Sequence, residues 1–501
     1  MKLTVNDIVK AIGGEAHIAD KTDGNADLTS VVLDSRLVTE GGVFIAQKGE
    51  RVDGHSFISQ VFEKGAALVV CEMDPEQVKV VFGTDPASWG SYIVVKDSLL
   101  ALKQIATCYR NKLLIPFVGI TGSVGKTSTK EFIAGVLSEK YNTLKTEGNY
   151  NNEIGVPLTL LKIREEHEAA VIEMGISDFG EMTRLTEMVR PDVAVITNIG
   201  QCHLENLKTR DGILKAKTEI FKGLTENGRV VLFGGDDKLI TVGAVNDKEP
   251  VYFGESGSPK KLSSEIVSET DKGLFGSEAE IVLNYTGKGI VTGKDIEISD
   301  EKLSVTVPLP GHHMVINAAA AASVAMLLEL TPAQIKSGIE NMKPIVGRNN
   351  IVTVGDITLI DDCYNANPVS MKSSLDLLML AKGKKIAILG DMFELGKNEK
   401  NMHREVGEYA AKLGVDRIYC VGDLGEYISE GARECSRSGS DKSAEYIGYW
   451  KTRDDAIRGI KDDLLRGAGE RTLIPPGSTV LVKASHGMHF EEIVKVFKEI
   501  F

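Results

Sequence analysis

Closely spaced cysteines, long apolar runs and excess positive charge are all missing from this 501-residue chain. Its six cysteines (Cys71, Cys108, Cys202, Cys363, Cys420 and Cys435) are scattered with no C-x-x-C pair. That speaks against a disulfide framework and fits reduced thiols in a cytoplasmic protein. The opening "MKLTVNDIVKAIGGE" has no signal-peptide run, and no uninterrupted 18-residue apolar stretch follows, so membrane insertion is not expected. The net charge of −13 and isoelectric point near 5.4 exclude a general nucleic-acid binder, which needs a basic footprint. They leave room for a local basic pocket holding an anionic substrate. Tandem repeats and low-complexity tracts are absent too.

With 42% hydrophobic and 26% charged residues, the composition is that of a globular chain with a proper core, long enough for two to four domains. Short apolar runs ("SVVLDS", "GGVFIAQ", "AALVVCE", "SYIVVKD") alternate with helix-like stretches up to residue 111 and predict a small α/β domain. A second unit, 112–313, opens on the strand "IPFVGIT" and continues through "AAVIEMG", "DVAVITNIG" and "RVVLFGG", the rhythm of a parallel sheet. From about 279, alternating strands read as antiparallel hairpins trimming the same domain. A third unit, 314–501, is placed at the Ala-rich helix "HHMVINAAAAASVAMLLEL". After it, "ITLIDDCYNAN", "KKIAILGDM", "DRIYCVGD" and "STVLVKASHG" give a second, Rossmann-like α/β domain.

The central strand runs into "TGSVGKTSTKEF". In the usual phosphate loop, G-x-x-x-x-G-K-[ST], the first glycine would fall at Ile120; glycines stand instead at Gly119 and Gly122. The physical requirements are nonetheless met. Gly122 and Gly125 permit the tight turn, Lys126 supplies charge, and Thr127 or Ser128 supplies a hydroxyl for Mg²⁺ at a helix N-terminus. The strand–loop–helix order predicts a nucleotide site. Chemistry in such sheets gathers beyond the carboxyl ends of strands, where Glu173 and His203 fall. Each is either a structural cap or a metal-site residue. Lys217 shares a helix face with Leu214 and Phe221. Either its stem snorkels, or its amine has a lowered pKa and captures CO₂ as a carbamate able to ligand a second cation. Periodicity alone favours snorkelling.

The loop Thr121–Ser128, with Ser123 at its [ST] position, resembles the T-G-[ST]-x-G-K-[TS]-[ST] form of the Mur ligases of peptidoglycan synthesis, and the resemblance covers the whole chain. It implies a UDP-binding first domain, an ATPase second domain and a ligand-binding third domain. "LDSRLVTEGGVFIAQKGERVDGHSFI" resembles the UDP-recognising segment, through Asp34, Ser35, Arg36, Lys48, Gly49, Glu50 and Arg51. "TEGNYNNEIGVPLTLL" resembles the lining of the UDP-muramoyl path, through Thr146, Asn149, Asn151 and Asn152. "IDDCYNANPVSM" and "ILGDMFELG" followed by His403 are similar to the members that add D-alanyl-D-alanine to UDP-N-acetylmuramoyl-tripeptide. The carry-over gives Lys126 and Thr127 to ATP phosphates and Mg²⁺, and Glu173, His203 and a carbamylated Lys217 to metals, with two Mg²⁺ ions implied. It further gives Asn317 to adenine, Arg348 to a phosphate, Asp362 to the ribose-phosphate region, and Tyr364, Asn365 and Asn367 to the dipeptide or ATP.

Three departures stand out: Met314 where the family usually has Asn, Gly234 where Asn is common, and His486 where Arg is frequent. The implied reaction passes the γ-phosphoryl group of ATP to a carboxylate and lets the dipeptide amine displace it, in a monomer. Asn317 and Asp362 are expected to reach ATP only when the third domain swings in. The rivals are another ligase of the superfamily (the enzyme adding the third muramoyl amino acid, or folylpolyglutamate synthetase) and a non-catalytic P-loop module. The last has no need of Glu173, His203 and Lys217 together.

Overall fold

The β-branched runs singled out in the sequence form three parallel-rich sheets, each wrapped by amphipathic helices that bury one face against it. The computed structural model describes residues 1–49, 52–83, 89–344, 347, 350–437, 444–466 and 472–500. In the first domain, strands lie in the order Glu15–His17, Tyr92–Val94, Leu68–Cys71, Val43–Ile45 and Val31–Val32; only the first pair is antiparallel. The helix Ser98–Arg110 then leads into the second domain.

The central sheet carries Phe117–Thr121 between Val193–Ile196 on one side and Ala169–Glu173 on the other. The chain runs from Phe117–Thr121 to the Ala169–Glu173 side first and returns to Val193–Ile196 later. The phosphate-loop strand is therefore where strand order reverses, the place at which such sheets open a crevice beyond their carboxyl ends. On the Val193–Ile196 side, parallel pairing continues through Arg229–Phe233, Val251–Glu255 and Leu262–Asp271. Two antiparallel strands, Ser277–Lys288 and Asp295–Val307, finish that edge, as the alternating pattern after 279 predicts.

The expected boundary at 313/314 is corrected. It cuts the helix His312–Leu327, whose side chains lie in one core with Val118, Ile120, Phe132 and Ile281 of the central domain. Ala318 to Ala322 are buried, and small side chains on every face let this helix slot between the sheet and the helix Lys126–Leu137. The next helix, Pro332–Glu340, opens with Pro332 behind a Thr331–Gln334 capping box. It packs so closely on Lys126–Leu137 that a Cβ on Gly338 would stand 2.4 Å from Val136 Cα. Both helices belong to the second domain, so the third begins after them.

The third domain's strands lie in the order Asn350–Val354, Ile357–Asp361, Thr479–Lys483, Lys385–Gly390, Arg417–Val421 and Tyr446–Trp450, parallel except for the first pair. The carboxyl ends of Ile357–Asp361, Lys385–Gly390 and Thr479–Lys483 lead into the loops that face the central domain. No described helix is long and apolar enough to cross a membrane.

Candidate active site

The phosphate loop is shaped by its neighbours. Gly125, at φ 83°, precedes the helix Lys126–Leu137, a left-handed conformation that glycine adopts at no steric cost. Asn198, just beyond Val193–Ile196, accepts from Val124 N–H at 3.0 Å and donates to Val124 O at 2.9 Å, in the manner of a paired strand. Thr197 donates to the same carbonyl at 2.7 Å, and Ser123 N–H donates to Asn198 O at 3.0 Å. The loop is thus fixed before any phosphate arrives. Lys126 Nζ donates to Gly122 O at 2.9 Å, folded back along the loop.

Two cavities flank this loop. One, of about 330 Å³, is lined by Gly125, Ser128, Asn317, Asp362, Asp236, Phe233 and Phe253 among others. The two phenylalanine rings stand 5.6 Å apart, giving the pocket an apolar wall suited to a purine face. Asn317 is on the central domain's own helix and is held there, accepting from Thr129 Oγ1 at 2.9 Å and meeting Met314 Sδ at 3.7 Å through Nδ2. It belongs to the central domain, contrary to expectation, whereas Asp362 belongs to the third. Met314 therefore takes up one Asn317 donor instead of offering a polar contact of its own. Asp362 is tied to Lys483, whose Nζ lies 2.6 Å from Oδ2, and to Ser374 Oγ at 2.5 Å. His313, half-buried in the wall of this pocket, has its pKa pushed down to about 4, chiefly by burial.

The other cavity, of about 420 Å³, joins the second and third domains. Ser123, Lys126, Asn149, Asn151, Asn152, Glu173 and His203 line one wall; Tyr364, Asn365, Asn367 and His486 line the other. Glu173, the last residue of Ala169–Glu173, is almost wholly buried. Its Oε1 accepts from Asn151 Nδ2 at 2.8 Å, its backbone N–H donates to Thr146 Oγ1 at 2.9 Å, and its Oε2 has no hydrogen-bond partner. Behind it, Lys130 Nζ stands 3.6 Å from Oε2 and donates to Thr146 O at 2.6 Å. A buried carboxylate with one oxygen left without a hydrogen-bond donor, on a side chain that lines a cavity beside a phosphate loop, fits a cation. Among the described residues no group of three or more His, Cys, Asp or Glu is already gathered around a metal position.

Lys217, on the helix Arg210–Thr218, is only 1% exposed, which removes the snorkelling alternative because the head is as buried as the stem. Burial first, and then nearby Lys126, lower its pKa to about 8; Cys202 acts in the opposite direction. Its amine thus meets the condition for CO₂ capture. His203 holds a left-handed backbone at φ 50°, and its Nδ1 lies 2.8 Å from Glu394 Oε2 of the third domain.

Other predicted residues have structural partners or lie outside the two cavities. Thr146 is fully buried with its hydroxyl engaged by Glu173, so it supports the site from behind and does not line it. The carboxamide oxygens of Asn152 and Asn367 accept backbone N–H groups at the starts of the helices Gly155–Leu160 and Pro368–Met379. Gly122 in the loop and Thr127 in the first turn of the helix Lys126–Leu137 line neither cavity. Asp34, Ser35, Arg36, Lys48 and Gly49 sit in the first domain, away from both cavities. Asp34 caps the turn Ser35–Leu37 and is paired with Arg36 at 2.6 Å, whose hydrogen bond holds its carboxyl down at about 2. Glu50, Arg51 and Arg348 lie outside the described residues. Asn198, Lys130, Phe233, Phe253, Glu394 and Lys483 went unassigned in the sequence, because each acts by a contact between distant segments.

Three family models match the chain: the Mur ligase family catalytic domain over 27–107, the Mur ligase middle domain over 120–325, and the Mur ligase glutamate ligase domain over 347–486. The UDP-N-acetylmuramoyl-tripeptide--D-alanyl-D-alanine ligase of Bacillus subtilis (strain 168) is 34% identical over 498 residues, covering 99% of this chain and 98% of its own. A crystal structure of MurF from Acinetobacter baumannii has a TM-score of 0.82 at 28% identity, covering 99% of this chain and 98% of that one. The MurF ligase from Thermotoga maritima in complex with ADP has a TM-score of 0.75 at 29% identity, covering 94% and 97%.

Proposed function

The chain belongs to the Mur ligase family, and on that premise we propose that it joins D-alanyl-D-alanine to UDP-N-acetylmuramoyl-tripeptide, converting ATP to ADP and phosphate. The observation that carries this reading is the cavity in which Lys126, Glu173 and His203 face Tyr364, Asn365 and Asn367 across the domain boundary. Phosphate-loop residues and the segment resembling the dipeptide-adding members line opposite sides of one space, which supports a reaction between an activated carboxylate and a dipeptide. Neither a non-catalytic P-loop module nor a single-site ATPase needs that second wall.

A carboxylate is a poor electrophile, so amide formation requires activation. The γ-phosphoryl group passes to the tripeptide's terminal carboxylate, giving an acyl phosphate and ADP. The dipeptide amine attacks the acyl carbon, and the tetrahedral intermediate collapses by expelling phosphate. Every reacting group but the amine is anionic, so positioning and electrostatic stabilisation dominate. The N-terminus of the helix Lys126–Leu137 and its loop N–H groups receive phosphate oxygens, and Lys126 turns from Gly122 O to the terminal phosphates. The pocket walled by Phe233 and Phe253 takes the purine, beside Asn317. Asp362, held by Lys483, faces the same nucleotide from the third domain.

Thr127, Glu173 and His203 would hold Mg²⁺, with Lys217 as its carbamate supporting a second ion. Bound there, Mg²⁺ supplies charge neutralisation for the transferring phosphoryl group. Glu173 is kept in place by Asn151 and Lys130. The third domain closes the cavity and keeps water from the labile acyl phosphate. Asp34, Ser35, Arg36, Lys48 and Gly49 would receive the UDP end in the first domain, and Asn149, Asn151 and Asn152 the muramoyl end.

Phosphate release from ATP, measured with the UDP-muramoyl-tripeptide and D-alanyl-D-alanine each omitted in turn, tests the reading. Turnover is expected only when both are present. Release that ignores the dipeptide would reject it.

A further inference from the structure

The bond between His203 and Glu394 crosses from the second domain to the third, and everything around it is built to hold it. His203 Nδ1 and Glu394 Oε2 are 2.8 Å apart. Both residues have left-handed backbones, φ 50° for His203 and 63° for Glu394. Such conformations cost free energy in non-glycine residues and persist where the surroundings over-determine them. The loop carrying Glu394 is pinned on either side: Met392 N–H donates to His403 Nε2 at 2.9 Å, and Phe393 N–H to Ser485 Oγ at 2.9 Å. Two neighbours of the pair also touch across the boundary. Leu204 packs against the third domain's core, and a Cβ on Gly396 would stand 3.7 Å from Glu205 Cα. The contact is thus more than two surface side chains meeting.

We propose that Glu394 is a positioning residue which, delivered by closure of the third domain, fixes the His203 ring for metal binding and so makes a complete metal site conditional on closure. When Nδ1–H donates to the Glu394 carboxylate, the ring's lone pair resides on Nε2, the nitrogen left to ligate a cation. A carboxylate behind a ligating histidine holds its tautomer and orientation and strengthens it as a ligand. Because Glu394 belongs to the domain that also brings Tyr364, Asn365 and Asn367, the same movement that presents the dipeptide wall completes the ion site opposite it. Activation of the carboxylate is thereby tied to the presence of the attacking partner's binding wall. The inference rests on the ligase reading above.

The test combines Glu394→Ala, His203→Ala and the double variant. Mn²⁺ is the probe, and free Mn²⁺ is read by electron paramagnetic resonance in the presence of saturating ADP, alongside steady-state turnover. Glu394 has a side chain 61% exposed, so its removal should leave the thermal unfolding midpoint unchanged. Glu394→Ala is expected to weaken Mn²⁺ binding and lower kcat together, each by about 10- to 100-fold. The double variant should be no worse than His203→Ala alone, since the two residues act as one unit. Mn²⁺ affinity within about twofold of wild type in Glu394→Ala, or losses that simply multiply in the double variant, would overturn the proposal. Absence of dipeptide-dependent turnover in the wild type would instead reject the ligase reading, while the Mn²⁺ titration would still decide the role of Glu394.

Discussion

Replacing Lys130 with methionine should damage the central domain although Lys130 lines neither cavity of the site. The side chain is 1% exposed; Nζ donates to Thr146 O at 2.6 Å and lies 3.3 Å from Glu131 and 3.6 Å from Glu173. Methionine retains the apolar stem and removes the charge and the donor. Two consequences follow. The Thr146 carbonyl loses its donor, which costs about 1–3 kcal/mol if it stays buried. Glu173, 2% exposed at its side chain, loses the cation behind it, and breaking a buried pair costs about 3–5 kcal/mol in all. These overlap, and a separation of 3.6 Å is longer than a hydrogen bond, so the lower end applies: about 3 kcal/mol. Glu131 keeps its contact with Lys145 and adds little. Urea unfolding of Lys130→Met beside wild type measures the loss. Lys145→Met, with a partly exposed pair, is the control and should lose no more than about 1 kcal/mol. A Lys130→Met protein within about 0.5 kcal/mol of wild type would refute the assignment of Lys130 as the buried cation that holds Glu173 and the Thr146 carbonyl in place.

A Cβ at Gly122 would lie 1.9 Å from Thr197 Oγ1, at a backbone φ of 151°. Gly122→Ala should therefore weaken ADP binding by at least about tenfold in equilibrium dialysis, with no recovery in Gly122→Ala/Thr197→Ser, because serine keeps the hydroxyl that donates to Val124 O and stands in the way. Unchanged affinity in the single variant would contradict the loop geometry. His313, held near 4 by burial, stays neutral in the folded chain while its unfolded form protonates below about 6.5. The unfolded state thus binds more protons, and stability falls as the solution is acidified through that window. From about pH 7 to about pH 5 the loss from this one group is about 2 kcal/mol. His313→Gln should lose less stability over the same interval, and identical slopes would contradict its burial as a neutral ring.

The parallel sheets, the displaced-glycine phosphate loop and the strand-end position of Glu173 were legible because each is a local pattern: apolar runs, a glycine spacing, a carboxylate at the end of a buried strand. The Ala-rich helix was misassigned for a physical reason. Apolar on every face, it offers no stripe to say which core it joins, and only three-dimensional packing against Lys126–Leu137 decides. Lys217 was ambiguous for a related reason, since a helical face tells whether a stem points inward and not whether the ammonium escapes to water. Thr146, Asn152 and Asn367 carried a substrate-binding signature, yet their side-chain oxygens serve the backbone. Contacts such as Lys483 with Asp362, or His203 with Glu394, join segments from different parts of the chain and leave no periodic trace.

The mass of the UDP-linked product formed from UDP-N-acetylmuramoyl-tripeptide, ATP and D-alanyl-D-alanine tests the central claim most directly. The account predicts a product heavier than the acceptor by one dipeptide less one water, formed in step with ADP. A product extended by a single amino acid, or ADP formed with no extended product, would contradict it.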